Sequence, residues 1–170
     1  MAYDELPDRF RSGFRRHAAG VTIVAAATPT GPVGATVSSV ASVSVEPPLL
    51  SFSLLRSSTT AGALVDAGRL VVHQLAADQV EVAAAFASRT AARFTAEQGW
   101  SRAADGTPLL AGATASYGGR VEQVIPAGGS WLVLLRVDDV TLGPEAAPLL
   151  HHDRRYWSVA PVVEGAERVG

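Results

Sequence analysis

Glycine, proline, serine or charge interrupts every apolar run in this chain, and the runs between these breaks are short and rich in β-branched residues. That punctuation favours many brief strands over long helices. Val21 to Ala26 (Val-Thr-Ile-Val-Ala-Ala) reads as a strand. Thr28-Pro29-Thr30-Gly31-Pro32 supplies turn chemistry, and Val33 to Ser39 returns as the partner of a hairpin. Further strands are expected at 41–45, stopped by Glu46-Pro47-Pro48, and at 49–55, 70–75, 113–124, 131–142 and 156–159.

Three helices are expected among them. In 8–19, Phe10, Phe14 and Ala18 recur at helical spacing beside Arg9, Arg11, Arg15 and Arg16, and Gly20 is a stop. In 58–67, Ser and Thr open the segment and Gly68 follows it. In 78–87, Val82 and Phe86 stand four apart in an alanine-rich run. From Ser88 to Pro108, Gly99, Gly106 and Pro108 point to a long surface loop. Strands and helices do not alternate strictly, so a doubly wound sheet is set aside for one mainly-β, barrel-like domain over 1–160. A loose tail is expected over 161–170.

With 170 residues, 48% hydrophobic and 18% charged, the chain can bury a real core. A net charge of −2 gives no electrostatic case for nucleic acid or an anionic membrane surface. No apolar stretch approaches the roughly 20 residues of a spanning helix, and the N-terminus has no basic start followed by an apolar run. Cysteine is absent, which removes disulfides, thiolate nucleophiles and cysteine metal sites and is compatible with a cytoplasmic location.

Familiar chemical motifs fail one by one. Gly118-Gly119 and Gly128-Gly129 lack the further glycine and the helix of a dinucleotide loop. His151 and His152 are adjacent, so on a strand they face opposite ways and cannot share a metal. No G-x-S-x-G elbow occurs. What remains is a hydroxyl-rich tract: Thr36-Val37-Ser38-Ser39 at a strand end, and Arg56-Ser57-Ser58-Thr59-Thr60 where a strand meets a helix start. Free amides at such a helix start, with hydroxyls and an arginine, make an anion pocket. The same residues serve equally well as caps and turns. His73, inside an apolar strand, is read as a hydrogen-bonded structural residue, and Trp100, Trp131 and Trp157 as core or as stacking surfaces.

The ordered blocks Ala19-Gly20-Val21-Thr22, Gly31 to Ser39, Ser42 to Leu49, Leu54 to Thr59, Ala76 to Gln79, Phe86-Ala87-Ser88-Arg89, Arg93-Phe94, Pro148 to His152 and Arg155-Tyr156 resemble the flavin reductase-like, FMN-binding split-barrel family. They keep its order and spacing over about 9–159. The resemblance implies a split β-barrel that uses NADH or NADPH to reduce FMN or FAD, often for a separate monooxygenase, and that forms a homodimer with flavin near the subunit interface.

On this resemblance, Thr36, Val37, Ser38 and Ser39 line the flavin ring, and Ser53, Leu54 and Leu55 follow the ribityl chain. Ser57, Ser58 and Thr59 bind phosphate, while Phe86, Ser88 and Arg89 close over the phosphate or adenine side; Tyr156 completes the set. Many members carry Gly-Asp-His beside the nicotinamide. Here the stretch is Gly128-Gly129-Ser130, followed by Trp131, so Ser130 stands at the histidine position. Three readings stay open: a reductase with altered nicotinamide recognition, a flavin or ligand protein with a different reaction, and a flavin-free accessory subunit.

Overall fold

The computed structural model describes residues 5–88 and 90–160. The expectations for Arg89 and for the tail from Pro161 lie outside that set. A seven-stranded antiparallel sheet dominates, with β2 (Thr22–Thr28), β3 (Gly31–Val37), β4 (Ala41–Val45), β5 (Pro48–Leu55), β6 (Arg69–Gln74), β9 (Ala115–Ala127) and β10 (Ser130–Leu142) in the order β3-β2-β6-β9-β10-β5-β4. The β-branched runs form the strands their composition favours, with ends that coincide or shift by at most three residues.

The sheet coils so that its β3 end returns to β5. Beyond the last residue of β3, the Ser39 hydroxyl accepts the Ser53 backbone N–H at 2.8 Å and meets the Ser53 hydroxyl at 2.9 Å. This seam is bridged by side chains rather than by a strand ladder, which leaves backbone and hydroxyl groups accessible there. Inside the barrel, Phe52, Leu64, Val72, Val133 and Leu135 are all essentially inaccessible to solvent. Burying a ring such as Phe52 stabilises the fold by about 1.5–3 kcal/mol.

Helix α2 (Thr59–Ala67) caps this core with Ala61 and Leu64, and Ser58 is its N-cap as the sequence implies. Helix α3 (Val80–Ala87) buries Val82, Ala83, Ala85 and Phe86 in a second core on the other face of β2 and β6. There Phe86, Phe94 and Trp100 cluster with ring centroids 4.8–5.4 Å apart. Trp100 is core, not a free stacking surface.

Two features depart from the sequence expectation. Residues 88–108 are not all loop: a 3₁₀ turn at Ala96–Gln98 leads into a ribbon of β7 (Trp100–Arg102) and β8 (Pro108–Leu110). The buried Trp100 anchors that ribbon, which is why it orders despite its glycines. A small second sheet joins β1 (Ala19–Gly20), β11 (Leu150–His152) and β12 (Arg155–Trp157). The first helix, α1 (Leu6–Phe14), ends earlier than expected because the chain must extend into β1. None of its residues is buried.

Candidate functional site

The barrel register gathers three separated stretches at one end of the seam. Ser130, Trp131 and Leu132 of β10 lie opposite Leu55, Leu54 and Ser53 of β5. The β9–β10 turn is tied to the β5–α2 joint: Arg56 N–H donates to the Gly129 carbonyl at 3.0 Å, and its guanidinium donates to the Gly128 carbonyl at 3.3 Å. Gly128 has a φ of 58°, a left-handed turn position that glycine takes without strain. Tract 36–39, strand 53–55, joint 56–59 and turn 128–130 therefore meet.

Strand alternation sorts these residues by face. Leu54 is 4% exposed and points into the barrel with the buried Val37. Ser53 and Leu55 point outward, Leu55 being 65% exposed. Ser38 and Ser39 are also exposed, whereas Thr36 is half-buried and its hydroxyl donates to the Ala83 carbonyl of α3 at 3.1 Å. Trp131 is half-buried and packs against the barrel core. Ser130, half-buried, opens the outward face of β10.

At the joint, the Ser58 hydroxyl accepts the Ala61 N–H at 3.3 Å, and the Ser58 N–H donates to the Leu55 carbonyl at 3.1 Å. The hydroxyl keeps its own proton for an external acceptor. Amides of the first helical turn have no intrahelical partner, so Thr59 and Thr60 present theirs beside the exposed hydroxyls of Ser57 and Thr59. The capping and anion-pocket readings are compatible: the cap builds the turn that offers the donors.

Phe86 and Tyr156 belong to the other core, and Ser88 is the C-cap of α3. Phe86 is only 5% exposed, packed on Phe94 and Trp100, with the Arg93 guanidinium 5.5 Å from its ring centre. The Ser88 hydroxyl accepts the Thr90 and Ala91 amides at 3.2 Å each, forming a turn. Tyr156 is half-buried opposite His151. Among the described residues no hydrogen bond links these three to segment 53–59. The Thr36–Ala83 bond is the bridge between the two groups.

Residues 36–39, 53–60 and 128–131 hold one ionisable side chain, Arg56. These stretches offer donors, a positive charge and apolar walls but carry no carboxylate or imidazole of their own; His17, His151 and Asp153 line the adjoining groove that Ser38 shares. The site suits a phosphorylated ligand that carries its own reactivity. Four carboxyls among the described residues are held below their usual range, all outside these stretches: Asp138 by Arg69 at 2.8 Å, Glu122 by Arg136, and Glu97 and Asp105 by hydrogen bonds from nearby backbone amides. Among the described residues no group of three or more potential ligands gathers for a metal. No helix among the described residues is long and apolar enough to cross a membrane.

Sequence reasoning missed the Ser39–Ser53 bridge and the Arg56–turn contacts, since both depend on which distant strands pair. It also missed a groove between α1 and the β11–β12 turn, lined by Ser38 among others.

Comparison with known proteins agrees with this geometry. The chain is 40% identical over 157 residues to an NADH:FMN oxidoreductase of Rhodococcus qingshengii, covering 90% of this chain and 82% of the relative. It is 32% identical over 155 residues to the reductase subunit of a flavin-dependent monooxygenase of Rhodococcus jostii, with coverages of 91% and 79%. The crystal structure of a flavin reductase domain protein from Arthrobacter sp. FB24 superposes with a TM-score of 0.86 at 31% identity, covering 94% of this chain and 99% of the other. The model of the flavin reductase like domain matches residues 14–160, and the chain belongs to that family.

Proposed function

We propose that the chain catalyses reduction of FMN or FAD by NADH or NADPH and supplies the reduced flavin to a separate monooxygenase. The observation that carries this reading is the seam itself, an exposed cradle of hydroxyls and helix-start amides. The 40% identical oxidoreductase supports NADH and FMN as the pair to try first. The relative that serves as a monooxygenase subunit supports the partner.

The chain's own residues bind and orient. The Thr59 and Thr60 amides, the hydroxyls of Ser57, Ser58 and Thr59, and Arg56 hold the phosphate. Ser53 and Ser39 offer hydroxyls along the seam to the ribityl chain and ring edge. Ser130, opposite Leu55, borders the ring and can donate one hydrogen bond, but it cannot titrate near neutrality as an imidazole does. When bound, flavin gains a hydride from the nicotinamide and a proton from solvent, leaving the oxidised nicotinamide.

A homodimer belongs to the same reading. Leu132 and Leu134 turn away from the barrel core, yet with Leu55 they form an apolar outer face beside the seam. A β10 apolar on both faces calls for a second layer, and a second copy supplies it.

Serine at position 130 favours one other reading, a flavin-binding barrel whose nicotinamide site has lapsed. Titrating FMN, FAD and riboflavin, then following NADH and NADPH oxidation with each flavin, separates the two. Flavin-stimulated oxidation is expected. Tight flavin binding with turnover no faster than buffer would move the assignment to the second reading.

A further inference from the structure

The geometry points to a second binding site, a cleft that takes a small aromatic carboxylate, at the end of β3 remote from the flavin tract. The cleft has a volume of about 190 Å³ and lies where the start of β3, the 3₁₀ turn and the β7–β8 ribbon meet. That is smaller than the sites of drug-sized ligands and suits a single ring with its substituent. Pro32, Phe94 and Pro108 give it apolar walls, and the exposed Ser101 and Arg102 line it as well. Pro32 is the second residue of β3 and Ser38 follows the last, so about 20 Å of strand separates the cleft from the seam.

The lining residues fix the chemistry of the ligand. Trp100 also lines the cleft; it is 6% exposed, and its indole Nε1 is shut off from solvent with no hydrogen-bond partner among the described residues. Native structures rarely leave a buried donor unmet, and an indole N–H can only donate. The missing partner is therefore an acceptor. Arg102 has no carboxylate partner among the described residues, and no acidic side chain lines the cleft, so an anionic acceptor fits best. Phe94 holds a left-handed φ of 57°, which a bulky residue rarely adopts. Its ring centroid stands 4.8 Å from that of Trp100 and 4.9 Å from that of Phe86. Backbone held in this way clusters at ligand clamps. A bare inorganic anion would leave the apolar walls uncovered, and an uncharged ring would leave Arg102 unmet; an aromatic carboxylate answers both.

The test is a titration of the isotope-labelled chain with sodium benzoate, followed by NMR on the Trp100 indole N–H signal, with benzamide as the uncharged control. Trp100→Phe assigns that signal, and the Trp157 N–H, already bonded to the His152 carbonyl at 3.2 Å, is the internal reference. The expected result is a saturable downfield movement of the Trp100 signal alone, with a Kd on the order of 1 mM or tighter. Arg102→Gln, a change at an exposed position, should weaken benzoate about threefold or more, Arg102→Lys should recover part of the loss, and benzamide should bind more weakly than benzoate. A Trp100 signal that does not move up to about 10 mM benzoate would overturn the site. So would equal affinity in Arg102→Gln, or benzamide binding as well as benzoate. A signal lying upfield and indifferent to benzoate would give the N–H to a neighbouring aromatic face instead, and one in exchange contact with a bound water would give it to that water; either result removes the carboxylate.

Discussion

Ser58 meets two demands at once, because its hydroxyl accepts the Ala61 N–H and still has a proton to give. Ser58→Ala should lower stability by about 1 kcal/mol through the lost cap. It should also weaken FMN and FAD more than riboflavin; equal losses for all three flavins would contradict the phosphate assignment. Ser130→His places a titratable imidazole at the β9–β10 turn, and FMN-dependent NADH oxidation should rise; an unchanged rate would show that this turn does not limit it. His73 has the structural role its place in an apolar strand implies. It is 1% exposed, its Nδ1 lies 2.7 Å from the Ser116 hydroxyl and its Nε2 3.1 Å from the Pro108 carbonyl. The carbonyl can only accept, so Nε2 carries the proton and Nδ1 accepts from serine.

Burial pushes the His73 pKa from 6.5 down to about 4. The unfolded chain therefore binds the proton first as pH falls. The stabilisation from a neutral His73 is complete above pH 6.5 and is lost progressively down to about pH 4. The loss is about 1.4 kcal/mol per pH unit in that window. Urea melts across it should show the decline in the wild type and a flatter profile in His73→Gln. Matching profiles would mean that the histidine does not titrate as its burial requires.

Legibility differed sharply from element to element. Strand β4 and the cap of α2 could be read from local composition, because β-branched runs and a Ser–Gly frame act within a few residues. Strands β1, β7, β8 and β11 are two or three residues long, too short for periodicity to register, whereas the strand expected at 156–159 is present as β12 with shifted ends. The unforeseen strands exist because Trp100 and Leu149 are buried in the second core and bring their neighbours into pairing. Helix α3 ends under Arg93, whose guanidinium donates to the Ala85 and Ser88 carbonyls and lies near the Phe86 ring. Arg93→Ala should cost on the order of 1 kcal/mol in thermal or urea unfolding through the lost C-terminal contacts. A stability equal to that of the wild type would show that the cap contributes nothing.

At the scale of the whole molecule, the two cores share β2, and β3 packs against both α2 and α3. The flavin tract lies at the end of β3, so what holds α3 also positions the site. Gly34 marks how tight this is: a Cβ there would stand 2.8 Å from the Phe86 ring and 3.1 Å from the Val24 carbonyl. Gly34→Ala should destabilise by about 1–3 kcal/mol, as overpacking does, and should loosen flavin binding with it. The hydroxyl tract itself was visible in the sequence. Its closure by the Ser39–Ser53 bridge and by Arg56 on Gly128 and Gly129 was not, because the strands that create it are not neighbours along the chain.

The central claim, that this barrel passes electrons from a nicotinamide to free flavin, is tested most directly without oxygen. FMN in large excess over protein is mixed with NADH under argon and its yellow absorbance followed. Bleaching of the whole flavin pool, at a rate proportional to protein and absent from buffer, is the expected result. A pool that stays yellow, or loses only one equivalent per chain, would contradict it.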